Sequence, residues 1–287
     1  MPPCIKRSKK TGRQERGINL PPELLSSINQ LKNSNSNASV AHSIIAAIDD
    51  PDQGATDISR IVSTDPLLSA NIMRIANSNY YGLRGKVASL PFAISILGMT
   101  TIRSIALTSI LRQSISIPHN IWKRFLENGA ISARTAEVLS IDRSSGLSSG
   151  LLADFGEILI HNYDTPGYLN IKQEISGLPV NERGPIQEAL EVERYSVNHS
   201  NLSRMILEKW GFPESICHAV SRQHEEPKDS DNTINHALYW GLIIAEGYDS
   251  TQGKLEDLTF LPSGISQINL EQLGTDTEEF VKQLSTI

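Results

Sequence analysis

The chain has 287 residues, 39 % of them hydrophobic and 20 % charged, with a formal net charge of −6. That composition suits one large or two small soluble globular domains. The charge is uneven: residues 1–17 carry a net +5 from Lys6, Arg7, Lys9, Lys10, Arg13 and Arg16 against Glu15, leaving −11 for the remainder, which argues against a broad nucleic-acid surface. The two cysteines, Cys4 and Cys217, form no disulfide framework. The basic start is not followed by an apolar run of leader length, and no run is long enough to span a bilayer. A cytoplasmic protein with no membrane contact is therefore expected.

In chain order, residues 1–17 read as a basic disordered tail. From Leu20 onward the apolar spacing is helical almost throughout. Helices are predicted over 20–31 and 39–50, with the polar break "NSNSNAS" between them. The stretch 56–82 holds two helices. Asp65 caps the second, Pro66 fits its first position, and Leu68, Ile72 and Ile75 form its buried stripe. In 84–113, Gly98 separates two helices as a left-handed cap, and the second is apolar on most sides. Residues 116–120 read as a hinge between two halves. Further helices are predicted near 120–140, 147–160, 166–176, 185–195, 198–210, 213–225 and 233–247, with a short one at 276–285 in an acidic segment from 248. Gly211 and Pro213 make a helix-to-helix corner. No stretch alternates as a strand would, so the fold class is all-α.

Signatures of phosphate loops, dinucleotide sites, zinc proteases, paired-cysteine zinc sites and hydrolase elbows are absent. What remains is a set of polar residues on apolar helix faces. Asp154 shares a face with Leu151 and Ile158, His199 with Leu202 and Ile206, His224 with Cys217 and Val220, and Glu246 with Tyr239 and Leu242. Charged groups are seldom buried without partners, so these four are expected to converge. The end of the second helix in 56–82, "ANSNYYG" (76–82), has two readings. One is a cap and hydrogen-bond network; the other is a recognition surface using Asn77, Ser78, Tyr80 and Tyr81. Trp122, Trp210 and Trp240 read as core, and His161 as a helix-end histidine.

"INLPPELLSSI", "STDPLLSANIMRIANSNYYG", "VASLPFAISILGMTTIRSIAL" and "GLLADFGEILI", in that order, resemble the HDOD family, bacterial HD-related output domains. "NHSNLSRMILEKWGFPESICHAVSRQHEE" (198–226) fits the same family, and the likeness spans about 18–247. It implies an N-terminal helical subdomain (18–115) packed on an HD-like helical subdomain (116–247). HD phosphohydrolases read G-L-L-H-D-x-G where this chain has Ala153 and Asp154. By the same resemblance an upstream histidine ligand falls at Asn128 and a closing aspartate at Glu246. The resemblance thus implies a degenerate site, with no cofactor and no metal expected.

A non-catalytic signalling module follows, one that binds a protein partner or a nucleotide second messenger. No receiver or cyclase module is recognisable in the chain, so its input is expected in trans. The alternative is a weak metal-dependent nucleotide phosphohydrolase or phosphodiesterase using Asp154, His199 and His224, since two imidazoles and a carboxylate can hold a divalent ion. A third reading gives the basic tail a nucleic-acid contact.

Overall fold

The computed structural model describes residues 21–24, 26, 39–78, 81–83, 85–228, 233–249, 254–255, 261–262, 265 and 268–284. The basic tail, and most of the helix predicted over 20–31, lie outside them. The described residues form fourteen helices: α1 (Ser39–Asp49), α2 (Ala55–Val62), α3 (Pro66–Ala76), α4 (Leu90–Leu97), α5 (Met99–Ser114), α6 (His119–Val138), α7 (Arg143–Ala153), α8 (Phe155–Tyr163), α9 (Thr165–Ile175), α10 (Val180–Tyr195), α11 (His199–Lys209), α12 (Glu214–Ser221), α13 (Thr233–Gly247) and α14 (Leu270–Leu284). The fold is all-α, as the apolar spacing implies. No single described helix is long and apolar enough to cross a membrane.

Local chemistry explains the first half. Asp65 Oδ1 accepts from the backbone N–H of Leu67 and of Leu68, each at 3.0 Å, and Pro66 opens α3. The stripe Leu68, Ile72 and Ile75 is buried. Gly98 breaks α4 from α5, and the two helices meet at 101°. Its φ of 77° is positive as expected, but its ψ of 156° is extended rather than left-handed helical. Every residue of α5 from Thr101 to Leu111 is buried, which fits a helix apolar on most sides and enclosed by α1, α4 and α7.

The second half is built around α6, which packs on α7, α13 and α14. Close approach of α6 and α7 depends on glycine: a Cβ at Gly150 would lie 2.4 Å from the Asn128 carbonyl oxygen. The main hydrophobic cluster runs from Ile44 and Ile105 through Trp122 and Phe155 to Leu202 and Val220, continuous across the loop at 115–118. Trp122 is fully buried, and Trp210 and Trp240 nearly so. At the predicted corner Gly211 has a φ of 69° and Pro213 precedes α12.

Five local expectations are corrected. The single helix over 147–160 is two, broken at Asp154 (φ −96°, ψ 21°). The cause is Ser203 on α11. Its hydroxyl donates to the Ala153 carbonyl at 2.7 Å and accepts from the Gly156 N–H at 2.8 Å, taking both groups out of the helical ladder. The helix over 213–225 stops at Ser221, so His224 sits in the following turn rather than on a face with Cys217. The helices predicted over 185–195 and 276–285 begin earlier, at Val180 and Leu270. Finally, Tyr248–Asp249 (β1) and Lys254–Leu255 (β2) form a two-residue antiparallel pair in a stretch read as strand-free.

Candidate functional site

The break at Asp154 places its carboxylate at the start of α8, beside α6. Asn128 on α6 donates its amide to Asp154 Oδ2 at 2.6 Å. Burial, followed by the charge of Glu157, pushes Asp154 up to about 6 against the pull of His199, Arg124 and Lys172.

Glu157, one turn further along α8, has two donors. Tyr168 Oη donates to its Oε1 at 2.6 Å, and Lys172 Nζ lies 3.2 Å from the same oxygen. Burial alone would raise the Glu157 carboxyl, but Lys172, then His199 and the Tyr168 hydrogen bond, hold it far below the usual carboxylate range. Gln187 on α10 bridges outward: its Nε2 donates to Glu157 at 3.2 Å and to Glu191 at 2.8 Å, and its Oε1 accepts from Lys172 at 3.1 Å.

The chain continues through α11. Glu191 Oε2 accepts from the backbone N–H of His199 and sits 2.7 Å from its ring Nδ1. His199 Nε2 faces His224 Nε2 at 2.9 Å. Burial would lower His199, but the Glu191 charge and hydrogen bond outweigh it and raise the group to about 10. Burial, then the charge on His199, holds His224 well below the ordinary histidine value. One proton is therefore shared between the facing nitrogens, with His199 the donor.

Asp154, Glu157, Lys172, Gln187, His224 and Glu246 line one cleft. His199 stands behind its His224 wall. The four polar residues picked out on helix faces do converge there, but Glu246 stands apart in chemistry: Arg124 and Arg183 both pair with it. Ligand atoms of Asp154, Glu157 and His199 lie within 4.8 Å of one another, and so do those of Glu188, His199 and His224.

The positions of the HD metal ligands fit a divalent ion poorly. Ala153 is fully buried and offers a methyl group. Asn128 turns its N–H side to Asp154, and Glu246 lies between two guanidiniums.

The end of α3 is a structural device in the residues described there. Asn77 clamps the loop at Val87, donating to its carbonyl at 2.8 Å and accepting from its N–H at 3.0 Å. The buried Ser78 hydroxyl donates to the Ile75 carbonyl at 2.6 Å. Their polar groups serve the helix end rather than an open surface. Tyr81 is partly buried, and burial pushes its hydroxyl up to about 12. Tyr80 lies outside the described residues. His161 is in the last turn of α8, edge-on to Tyr168 at 5.0 Å.

The HDOD domain profile matches residues 35–226. Among solved structures, a Shewanella amazonensis SB2B protein whose name assigns it provisionally to the phosphohydrolases superposes with a TM-score of 0.62 at 20 % identity, over 93 % of this chain and 100 % of that one. A Marinobacter aquaeolei VT8 protein, provisionally named for signal transduction, gives 0.56 at 18 % identity over 94 % and 65 %. An HDOD domain protein of unknown function from Geobacter sulfurreducens gives 0.54 at 16 % over 89 % and 88 %. These likenesses define an HD-type helical fold. An uncharacterized Treponema pallidum (strain Nichols) protein is 19 % identical over 187 residues, 63 % of this chain but 36 % of that protein's length. The match over two thirds of the sequence places the chain in the HDOD family.

Proposed function

We propose that this HDOD protein is a non-catalytic regulatory module of a signalling pathway, recognising a protein partner or a nucleotide second messenger through the cleft around Asp154. One observation carries the reading: the cleft's acids are matched to donors of the same chain. Asp154 takes the Asn128 amide, Glu157 takes Tyr168 and Lys172, and Glu246 takes two arginines. Hydrolysis of a phosphoester by a metal-activated water needs carboxylates that face an ion with coordination positions open. Here an ammonium and two guanidiniums stand among the carboxylates.

The test is turnover. Tag-free protein should hydrolyse a chromogenic phosphodiester, cyclic nucleotides and nucleoside triphosphates no faster than Asp154→Ala in magnesium, manganese or zinc. Turnover that the substitution removes would reject the reading. Capture of a specific partner from the native host, or saturable binding of a cyclic nucleotide, would then name the input.

A second reading, a metal-dependent phosphohydrolase, is favoured by the closeness of Asp154, Glu157 and His199. The same assay decides between the two.

A further inference from the structure

A second pocket shares no lining residue with the Asp154 cleft. It is open, holds about 540 Å³ and falls within the size range of small-molecule sites. Its walls are Tyr81 from the loop after α3, Arg134 and Glu137 near the end of α6, Arg143 at the start of α7, and Gln272 and Asp276 on α14. We propose that this pocket binds a nucleoside phosphate, with Arg134 and Arg143 holding the phosphate group.

The two arginines stand on helices in direct contact. A Cβ at Gly146 would lie 2.6 Å from that of Ala136, so α7 rests on α6 beside both side chains. The guanidiniums meet on a single carboxylate: Arg134 Nη1 pairs with Glu137 Oε2, and Arg143 Nη2 with Glu137 Oε1. Two guanidiniums that grip both oxygens of one acid are already placed to grip two oxygens of a phosphate. The Glu137 side chain is 40 % exposed, so its ion pairs contribute little and the carboxylate can swing into water when an anion arrives. The carboxylate also leaves a donor over. Arg134 Nε is shielded from solvent and meets no acceptor at hydrogen-bonding distance. A phosphate brings more oxygens and more charge than the acid it displaces.

The other walls fit the rest of the ligand. The Tyr81 hydroxyl is held by Ser144 and Thr101, so the residue offers the pocket its ring, a surface on which a base can lie. Asp276 accepts from Gln272 Nε2 at 2.7 Å and is the one further acid in the lining. A carboxylate there repels a bare phosphate and accepts hydrogen bonds from ribose hydroxyls or a base amine. It therefore favours a phosphate that carries such donors. Gln272 and Asp276 both lie beyond residue 226, where the HDOD match ends, so the family likeness does not supply this site.

The experiment is calorimetric titration of full-length protein with guanosine diphosphate and with adenosine diphosphate, free of divalent metal, beside orthophosphate. Wild type is expected to bind at least one of the two nucleotides saturably, and orthophosphate more weakly. Arg134→Gln and Arg143→Gln are each expected to weaken nucleotide binding at least about tenfold. Glu137→Gln is expected to tighten it, about two- to fivefold, because the competing carboxylate is gone. Asp154→Ala is expected to bind as wild type does. The proposal is overturned by absence of saturable binding of either nucleotide, by wild-type affinity in both arginine variants, or by orthophosphate binding as tightly as the nucleotides. Loss of binding in Asp154→Ala would also overturn it, by moving the ligand to the cleft. If circular dichroism shows the arginine variants unfolded, Glu137→Gln decides: a gain supports the site, and an unchanged or weaker affinity rejects it. Turnover at Asp154 is a separate readout, so failure here and failure of the non-catalytic reading are distinguishable.

Discussion

The two halves of the molecule bury different kinds of polar group. Along α1–α5 the buried polar residues are hydroxyls, the amide Asn71 and one charge, Arg103. Along α6–α13 they include Glu157, Glu191 and His199, three ionisable groups from three helices. Arg103 is a tie: it donates to Asp49 at 2.6 Å and to the Trp210 carbonyl at 2.8 Å, joining α1 and α5 to the corner after α11. The acid–imidazole chain of the second half joins helices too, but through groups that exchange protons. A scaffold needs only the first arrangement. Perturbed, mutually matched titratable groups beside a cleft are what assigns the proposed recognition to the second half.

The sharpest way to break this contrast is Glu191→Ala. It leaves His199 buried without its charge partner and is expected to cost about 3–5 kcal/mol at neutral pH in metal-free protein, read by urea unfolding. Arg103→Met in the first half should cost less, about 1–3 kcal/mol, because it strands the Trp210 carbonyl while Asp49 returns to water. Equal losses from the two substitutions would erase the distinction.

The pH profile sharpens it further. His199 rises from 6.5 to about 10 on folding, so its contribution is complete below the unfolded value and is lost as pH climbs through about 10. Stability of the metal-free protein should fall between neutral pH and 10, with that part of the slope missing in Glu191→Ala. Asp154 carries the smallest effect. Its carboxyl rises from 3.8 to about 6, so its contribution is present below 3.8 and lost through 6. Asp154→Asn should therefore raise the urea midpoint at pH 8 and leave it nearly unchanged at pH 4. A large loss at pH 8 would make Asp154 a required charge.

Much of the fold was legible because its signals are local. Asp65–Pro66, Gly98 and Gly211–Pro213 punctuate helices within a few residues of themselves, and α5 announces its burial by being apolar on most sides. The break at Asp154 was not legible, because its cause, Ser203, is some fifty positions away and reads locally as one more hydroxyl on α11. The site divides in the same way. Asn128, Asp154, His199, His224 and Glu246 could be picked out by family likeness or as polar residues on apolar faces. Glu157 sat inside the quoted motif and still passed unnoticed, because an acid in the first turn of a helix is ordinary. Tyr168, Lys172, Gln187, Glu188 and Glu191 lie on α9 and α10, whose charged faces look solvated until they are packed against α8 and α11. Only the folded chain shows that those charges meet one another.

The account rests on the second half holding its ionisable groups as one matched chain, and the most direct test is the titration of His199 and His224 by nuclear magnetic resonance in metal-free protein. His199 is expected to stay protonated well past neutral pH while His224 stays neutral well into the acid range. Two histidines titrating together near the ordinary value of about 6.5 would contradict it.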